Sequence, residues 1–295
     1  MKVLLVSNYD VKGGAARATY RLHQGLQSMA VNSQILVNYK SSDDENVRLM
    51  PTKLGENFKG IRAKLNRLPL KLYPKLGQVI FSPQWVPDSL ADEVAKINPD
   101  VINLHWVCEG YMQIETLARF EKPVVWTLHD MWAFTGGCHY SENCDRYLDA
   151  CGACPQLHST KDGDISRWIW QRKAQAWQNL NLTLVTPSHW LAECAKSSSL
   201  FEKYSVKVIA NGLDPDVYKP LDRSQVRDSL NLPKINIWCC LGRCRERRIA
   251  GRVFRCWFRL CKGSVSRDGR IGLNFWFLGV LSLKARSMLV LKLII

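Results

Sequence analysis

The sequence predicts an α/β protein built on a doubly wound parallel sheet. Three observations carry this reading. Short apolar runs of strand length alternate with amphipathic runs of helix length from the start of the chain to about residue 209. The first run, Lys2–Ser7, leads through the glycine pair Gly13-Gly14 into a helical pattern marked by Ala18, Tyr20, Leu22 and Leu26. A second apolar run, Ser33–Val37, follows, and strand, glycine turn, helix, strand implies a parallel pair joined by a crossover helix.

The later elements follow by the same reasoning. Lys40–Gly77 is basic, poorly periodic and expected to be rich in loops. Ser89–Ile97 is a short amphipathic helix, and Val101–Leu104 a buried strand after the Asn98-Pro99-Asp100 turn. Met112–Phe120 is expected to be helical and Pro123–Leu128 a strand, with a long irregular segment at 129–158. A tryptophan-studded helix is expected over Ile165–Asn179. A strand over Leu182–Thr186, a helix from His189 to Lys196 and a strand over Val206–Ile209 complete the series.

Composition divides the chain. Among 295 residues the net charge is +15, which by itself suggests nucleic acid or an anionic membrane. Residues 239–295, however, hold 13 Lys and Arg against only Glu246 and Asp268, so most of the excess lies there. Five cysteines (Cys239, Cys240, Cys244, Cys256, Cys261) crowd the same stretch. The break falls near Asn236. The expected organisation is therefore a Rossmann-like domain over 1–215 with a Cys-rich loop at 136–158, a linker at 216–237, and an aberrant segment over 238–295. The opening residues turn polar too soon for a signal peptide and no long apolar span occurs, so a cytoplasmic protein is expected.

Several motifs can carry chemistry. Gly13-Gly14 after the first strand opens the backbone to a ligand, and the helix that follows offers free N–H groups to an anion. The competing reading is a plain strand–helix turn. Arg17 is either a phosphate contact or part of a solvated helix face. No G-x-G-x-x-G pattern is present, so a dinucleotide site is not supported. His129 and Asp130 fall at the carboxyl end of a strand, where open α/β sheets bind ligands. His105 ends the preceding strand in the same way, although apolar neighbours could simply bury it.

Cys138, Cys144, Cys151 and Cys154 form a C-x5-C-x6-C-x2-C cluster. A structural zinc is the favoured explanation, with His139 as an alternative ligand. Free thiols and disulfides are the competing readings. A catalytic zinc is not expected, since four thiolates leave no open position. Seven bases (Lys53, Lys59, Arg62, Lys64, Arg67, Lys71, Lys75) interspersed with leucines form either a peripheral membrane contact or a solvated basic loop.

Taken together, these segments resemble retaining glycosyltransferases of the two-Rossmann-domain (GT-B) architecture, of the group 1 or family 4 type and near the colanic-acid-biosynthesis enzymes. The matching pieces are Val3–Asn8 with Gly13-Gly14-Ala15-Ala16-Arg17, Thr127–Trp132, Thr135–Tyr140, Cys151–Leu157, Pro187–Leu191 and Val208–Asp214. The resemblance covers roughly residues 1–233. It implies transfer of a sugar from a nucleotide-diphosphate sugar to a saccharide or lipid-linked acceptor in surface polysaccharide synthesis, with no cofactor required for catalysis and no nucleic-acid partner. It also implies that His129 contacts the transferred sugar, that Gly13 and Gly14 line the cleft near donor phosphate or acceptor, and that Asn211-Gly212-Leu213-Asp214 leads into the interdomain linker. The expected site is thus His129 as the catalytic residue, with Gly13, Gly14, Arg17, Asp130 and Asn211 binding substrate. The alternative is a non-catalytic Rossmann domain that binds a saccharide or a protein.

In that family the second domain binds the donor through an Arg/Lys pair and a Glu-x7-Glu pattern. With only Glu246 and Asp268 beyond residue 238, that pattern is absent. The genetic code suggests a reason. Codons for Trp238–Cys244, read from their third base, permit Val-Leu-Phe-Gly-Ala-Val. The same offset across Arg248–Phe258 permits Asp-Arg-Arg-Lys-Gly-Phe-Ser-Leu-Leu-Val. Both strings resemble the start of the family's donor domain. The expectation is that residues 238–295 are out-of-frame translation, which would leave this chain impaired. The competing reading is a genuine basic tail for lipid or nucleic acid.

Overall fold

The computed structural model describes residues 1–51, 57–76, 79–229, 237–244, 256–265 and 271–277. They fall into two compact units, Met1–Gly212 and Leu213–Ile295.

The first unit is a seven-stranded, fully parallel sheet. Its strands are β1 (Lys2–Tyr9), β2 (Asn32–Tyr39), β3 (Val47–Leu49), β4 (Val101–Leu104), β5 (Val124–Thr127), β6 (Leu182–Thr186) and β7 (Ser205–Val208), in the order β3-β2-β1-β4-β5-β6-β7. The order reverses between β1 and β4, which is the topological switch point of a doubly wound sheet. The helices of this unit are α1 (Gly14–Ser28), α2 (Asn57–Asn66), α3 (Leu90–Ile97), α4 (Ile165–Ala176) and α5 (His189–Ser197).

Strand β1 is apolar without alternation because both of its faces are covered. Val3 and Leu5 pack with Ile35, Val37 and Val47, against Tyr20 and Leu26 of α1. Leu4 and Val6 point the other way, into the larger core with Ile102, Leu104 and Trp126. At about 1.5–3 kcal/mol for each buried aliphatic side chain, this central strand anchors both layers. The larger core is strongly aromatic around β5. Trp126 meets the edges of Trp177 and Phe201. Three buried indoles find acceptors: Trp126 donates to His105 O, Trp132 to Ser82 O and Trp177 to Ile114 O.

Two expectations need correction. The stretch 40–77 is not loop alone, since it contains β3, α2 and 3-10 turns at Leu68–Leu72 and Pro74–Leu76. Tertiary partners hold α2 where its own pattern is weak. The Arg62 guanidinium donates to Pro87 O and Gly110 O, and the Asn66 amide donates to Gln84 Oε1. The stretch 112–120 forms a 3-10 helix at Ile114–Arg119 rather than an α-helix. Lys53 lies outside the described residues.

In the second unit, α6 (Arg223–Ser229) is followed by β8 (Ile237–Cys244), β9 (Cys256–Val265) and β10 (Ile271–Phe277), which pair antiparallel in the order β10-β9-β8.

Candidate functional site

The carboxyl ends of β1, β4 and β5 lie side by side and carry most of the expected site residues. Past β1 the chain turns at Gly13, whose φ of 91° belongs to the region that favours glycine, and enters α1 at Gly14. No side chain caps this helix and its first turn has no acid, so its N–H groups face an open approach. Gly13, Gly14 and Arg17 are all exposed, and Arg17 makes no ion pair among the described residues. A Cβ placed on Gly14 would meet nothing within 4 Å, so its small size is not required by packing.

The turn is tied to its neighbours. Asp10 accepts from the Val11, Ser41 and Ser42 amides, joining the ends of β1 and β2. Glu109, at φ 60°, accepts from Tyr9 Oη at 2.7 Å and from Asn8 Nδ2 at 3.3 Å. Glu109 was not foreseen from the sequence. The Glu109-Gly110 pair after a strand end was the only available signal.

At the ends of β4 and β5 the two histidines meet. His105 Nδ1 and His129 Nε2 are 3.0 Å apart, and the rings stack at 5.3 Å. Burial pushes the His129 pKa down to about 4, against a smaller opposing pull from Asp130, and burial drives His105 well below its ordinary value. Both rings are neutral at physiological pH, so one donates the shared proton and the other accepts it. His105 is buried and its Nε2 has no partner among the described residues, whereas His129 is partly exposed. His129 therefore presents a neutral imidazole to the crevice, suited to hydrogen bonding a hydroxyl rather than to pairing with an anion.

Asp130, next to His129 in sequence, is held by other neighbours. It accepts from His139 Nδ1 at 2.6 Å, Trp106 Nε1 at 2.9 Å and the Trp132 amide at 2.9 Å. Burial raises its pKa, but His139 and these hydrogen bonds outweigh that and hold it below the ordinary carboxylate value. Both Asp130 oxygens are thus engaged within the protein. Fully buried Lys173, also not foreseen, donates to the carbonyls of Trp132 and Thr135 and lies 3.8 Å from the Trp132 ring. Asn211 stands apart: it is exposed, follows the edge strand β7, and is far in strand order from the Gly13-Gly14 turn.

The four cysteines of the irregular loop line one small cavity of about 20 Å³. All four are free thiols. Burial raises Cys138 to about 12 and Cys151 to about 11. Among the described residues, no three His, Cys, Asp or Glu side chains already stand at metal-binding spacing. His139 is not available as a ligand, contrary to the sequence expectation. Its Nδ1 is held by Asp130, and its Nε2 lies 2.9 Å from Ser82 Oγ.

The bases expected at a membrane divide into two groups. Lys59 is buried and Arg62 is tied to backbone carbonyls, so neither belongs to a free basic surface. Lys64, Arg67, Lys71 and Lys75 are exposed, as are Ile61, Leu65, Leu68 and Leu72 among them. No helix among the described residues is long and apolar enough to cross a membrane.

Comparison of the sequence with known proteins places the chain in a family. A protein of Escherichia coli (strain K12) named as the colanic acid biosynthesis glycosyl transferase WcaC is 24% identical over 257 residues. That match covers 80% of this chain and 61% of the relative, so the chain spans about three-fifths of the relative's length. A crystal structure of a glycosyltransferase from Rickettsia africae ESF-5 aligns over 79% of this chain and 50% of that one, at 11% identity and a TM-score of 0.43. The sequence profile of Glycosyltransferase Family 4 matches residues 12–217, a span that contains the Gly13-Gly14 turn, both histidines and the cysteine loop, and the chain belongs to that family.

Proposed function

We propose that the chain is the acceptor-side half of a retaining glycosyltransferase. In this reading it serves transfer of a glycosyl unit from a nucleotide-diphosphate sugar to a saccharide or lipid-linked acceptor in surface polysaccharide synthesis, at the cytoplasmic face of a membrane. The observation that carries the reading is that the uncapped N-terminus of α1 follows β1 at the switch point while neutral His129 follows β5 on the same carboxyl edge, in contact with His105 after the intervening β4. The helix end and Arg17 suit the phosphate of a donor or an anionic acceptor, and His129 suits a sugar hydroxyl. Front-face attack assisted by the departing diphosphate needs no protein nucleophile. Preorganised positive groups would then supply the main electrostatic stabilisation.

The same reading holds that this chain turns over little substrate. The donor-binding acids are absent after residue 238, and the antiparallel pairing of β8, β9 and β10 differs from the parallel strand–helix–strand units of a second Rossmann domain. A frameshift near residues 234–237 accounts for both. Resequencing the gene across codons 230–245 tests it directly, and an unshifted reading frame there rejects it.

The functional test is a transfer assay over a panel of nucleotide sugars, run on the 295-residue chain and on the protein with its frame restored. Negligible turnover by the first and robust transfer by the second is the expected result. Robust turnover by the first rejects the impairment. Saccharide binding without turnover in the frame-restored protein favours the non-catalytic binding domain instead.

A further inference from the structure

We infer that Cys138, Cys144, Cys151 and Cys154 close around a single zinc ion that staples the loop between β5 and α4. The inference goes beyond the transferase reading and does not depend on it.

Four observations support it. The four side chains, separated by up to 16 positions in sequence, line the same cavity, and its volume of about 20 Å³ suits one ion or one water rather than an organic ligand. The segment 136–158 has little regular structure beyond short 3-10 turns at Arg146–Leu148 and Pro155–Leu157. Three of its non-glycine residues (Glu142, Ala153, His158) adopt positive φ, so the loop is not held in place by its own backbone preference.

Burial keeps these thiols protonated until an ion binds, and groups that can balance the charge then lie beside them. The Gly136 amide donates to Cys151 Sγ at 3.1 Å. Four thiolates around a divalent ion carry a net charge of −2, which in a buried setting needs compensating donors and cations. Arg146 on the cavity wall and the Gly136 amide provide one of each. Finally, both nitrogens of His139 are engaged, which leaves an all-sulfur set. Because the thiols are not yet at ligand spacing, binding must rotate them inward about their Cα–Cβ bonds, displacing one proton from each. Closed on all four sides, the ion has no open position and serves structure rather than catalysis.

The test is elemental analysis of the full 295-residue chain, purified without chelator, together with X-ray absorption at the zinc edge. The expected result is close to one zinc per chain, with a shell of four sulfurs at about 2.3 Å. Cys151→Ser and Cys138→Ser should lower zinc content by about tenfold or more, while Cys108→Ser and Cys194→Ser should leave it unchanged. The absorption spectrum of the unmutated chain keeps the test decisive if a variant fails to fold. The inference is overturned by a nitrogen- or oxygen-dominated shell, by iron in place of zinc, or by a protein lighter by two hydrogens per bridge, which marks disulfides. It is equally overturned if the chain stays metal-free with freely titrating thiols after anaerobic incubation with zinc.

Discussion

His105 and His129, just past the ends of neighbouring parallel strands, stand Nδ1 to Nε2 at 3.0 Å with stacked rings, so the buried member holds the orientation of the one that is partly exposed. His105 is thus a positioning residue for His129, and neutrality of both rings is a condition of the arrangement.

The first prediction concerns pH. The His129 pKa is about 4 in the folded chain against an ordinary 6.5, and His105 is lowered in the same direction. The unfolded chain therefore binds more protons between these values, and folding stability must rise with pH from about 4 to 6.5. His129 alone contributes up to about 3 kcal/mol across that window. Urea midpoints at pH 4.5 and 7 should differ more for the native sequence than for His129→Asn, and equal differences would refute the assignment.

The two glycines should separate by substitution. Gly13→Ala forces a side chain into φ 91° and should cost about 1–3 kcal/mol. Gly14→Ala meets open space and should change stability by less than about 1 kcal/mol. In the frame-restored enzyme Gly14→Ala should nevertheless lower kcat/KM about tenfold or more, because the methyl group occupies the approach to the helix end. Unchanged kinetics would place the ligand elsewhere.

Asp130→Asn retains shape but removes the charge that His139, Trp106 and the Trp132 amide address. Thermal or urea denaturation at pH 7 should show a loss of about 2–3 kcal/mol. The sign of the pH effect follows from the lowered pKa. The advantage of the native carboxylate is present above the ordinary value of 3.8 and fades as pH falls through the folded one. The two proteins should therefore converge in strongly acid solution.

Lys173→Met leaves the carbonyls of Trp132 and Thr135 without their donor in the core. The relief of a buried charge offsets part of that loss, so denaturant titration should show a net cost of about 2–4 kcal/mol. A neutral or stabilising outcome would mean that the ammonium is not a structural clamp.

A peripheral membrane contact is best tested by flotation with phosphatidylglycerol-containing and purely phosphatidylcholine vesicles. Exposed Leu68 and Leu72 beside Lys64, Arg67, Lys71 and Lys75 should give binding to the anionic vesicles alone. Charge reversal at Lys71 and Lys75 should reduce it several-fold. Equal flotation with neutral vesicles, or none with either, counts against the contact.

Legibility from sequence followed the physics of each element. Val101–Leu104 and Leu182–Thr186 coincide with the observed strands to the residue, because each is a short run rich in aliphatic and β-branched residues with turn residues at one end. Helix α2 escaped notice because its basic, Gly60-containing pattern has little amphipathic period and it is held by Arg62 and Asn66 reaching distant backbone and side chains. The placing of Gly13-Gly14, His105 and His129 at strand ends was readable from the alternation of elements. What the alternation does not encode is which strand ends become neighbours, and so the contact between the histidines emerges only from the fold. Lys173 was hidden because a lysine in an exposed-looking helix gives no sign that its ammonium turns inward, and the Asp130 hydrogen bonds depend on a loop with no periodicity at all.

The strand order has a consequence for synthesis on the ribosome. Strand β1 emerges first and soon finds β2, but its other partner, β4, begins only at Val101, so the centre of the sheet stays half-paired while a hundred residues are made. The outermost strand, β7, ends at Val208, well upstream of the compositional break near Asn236. Every strand of the parallel sheet is therefore already translated when the ribosome reaches the compositional break, so the sheet can close before the basic, cysteine-rich stretch is made.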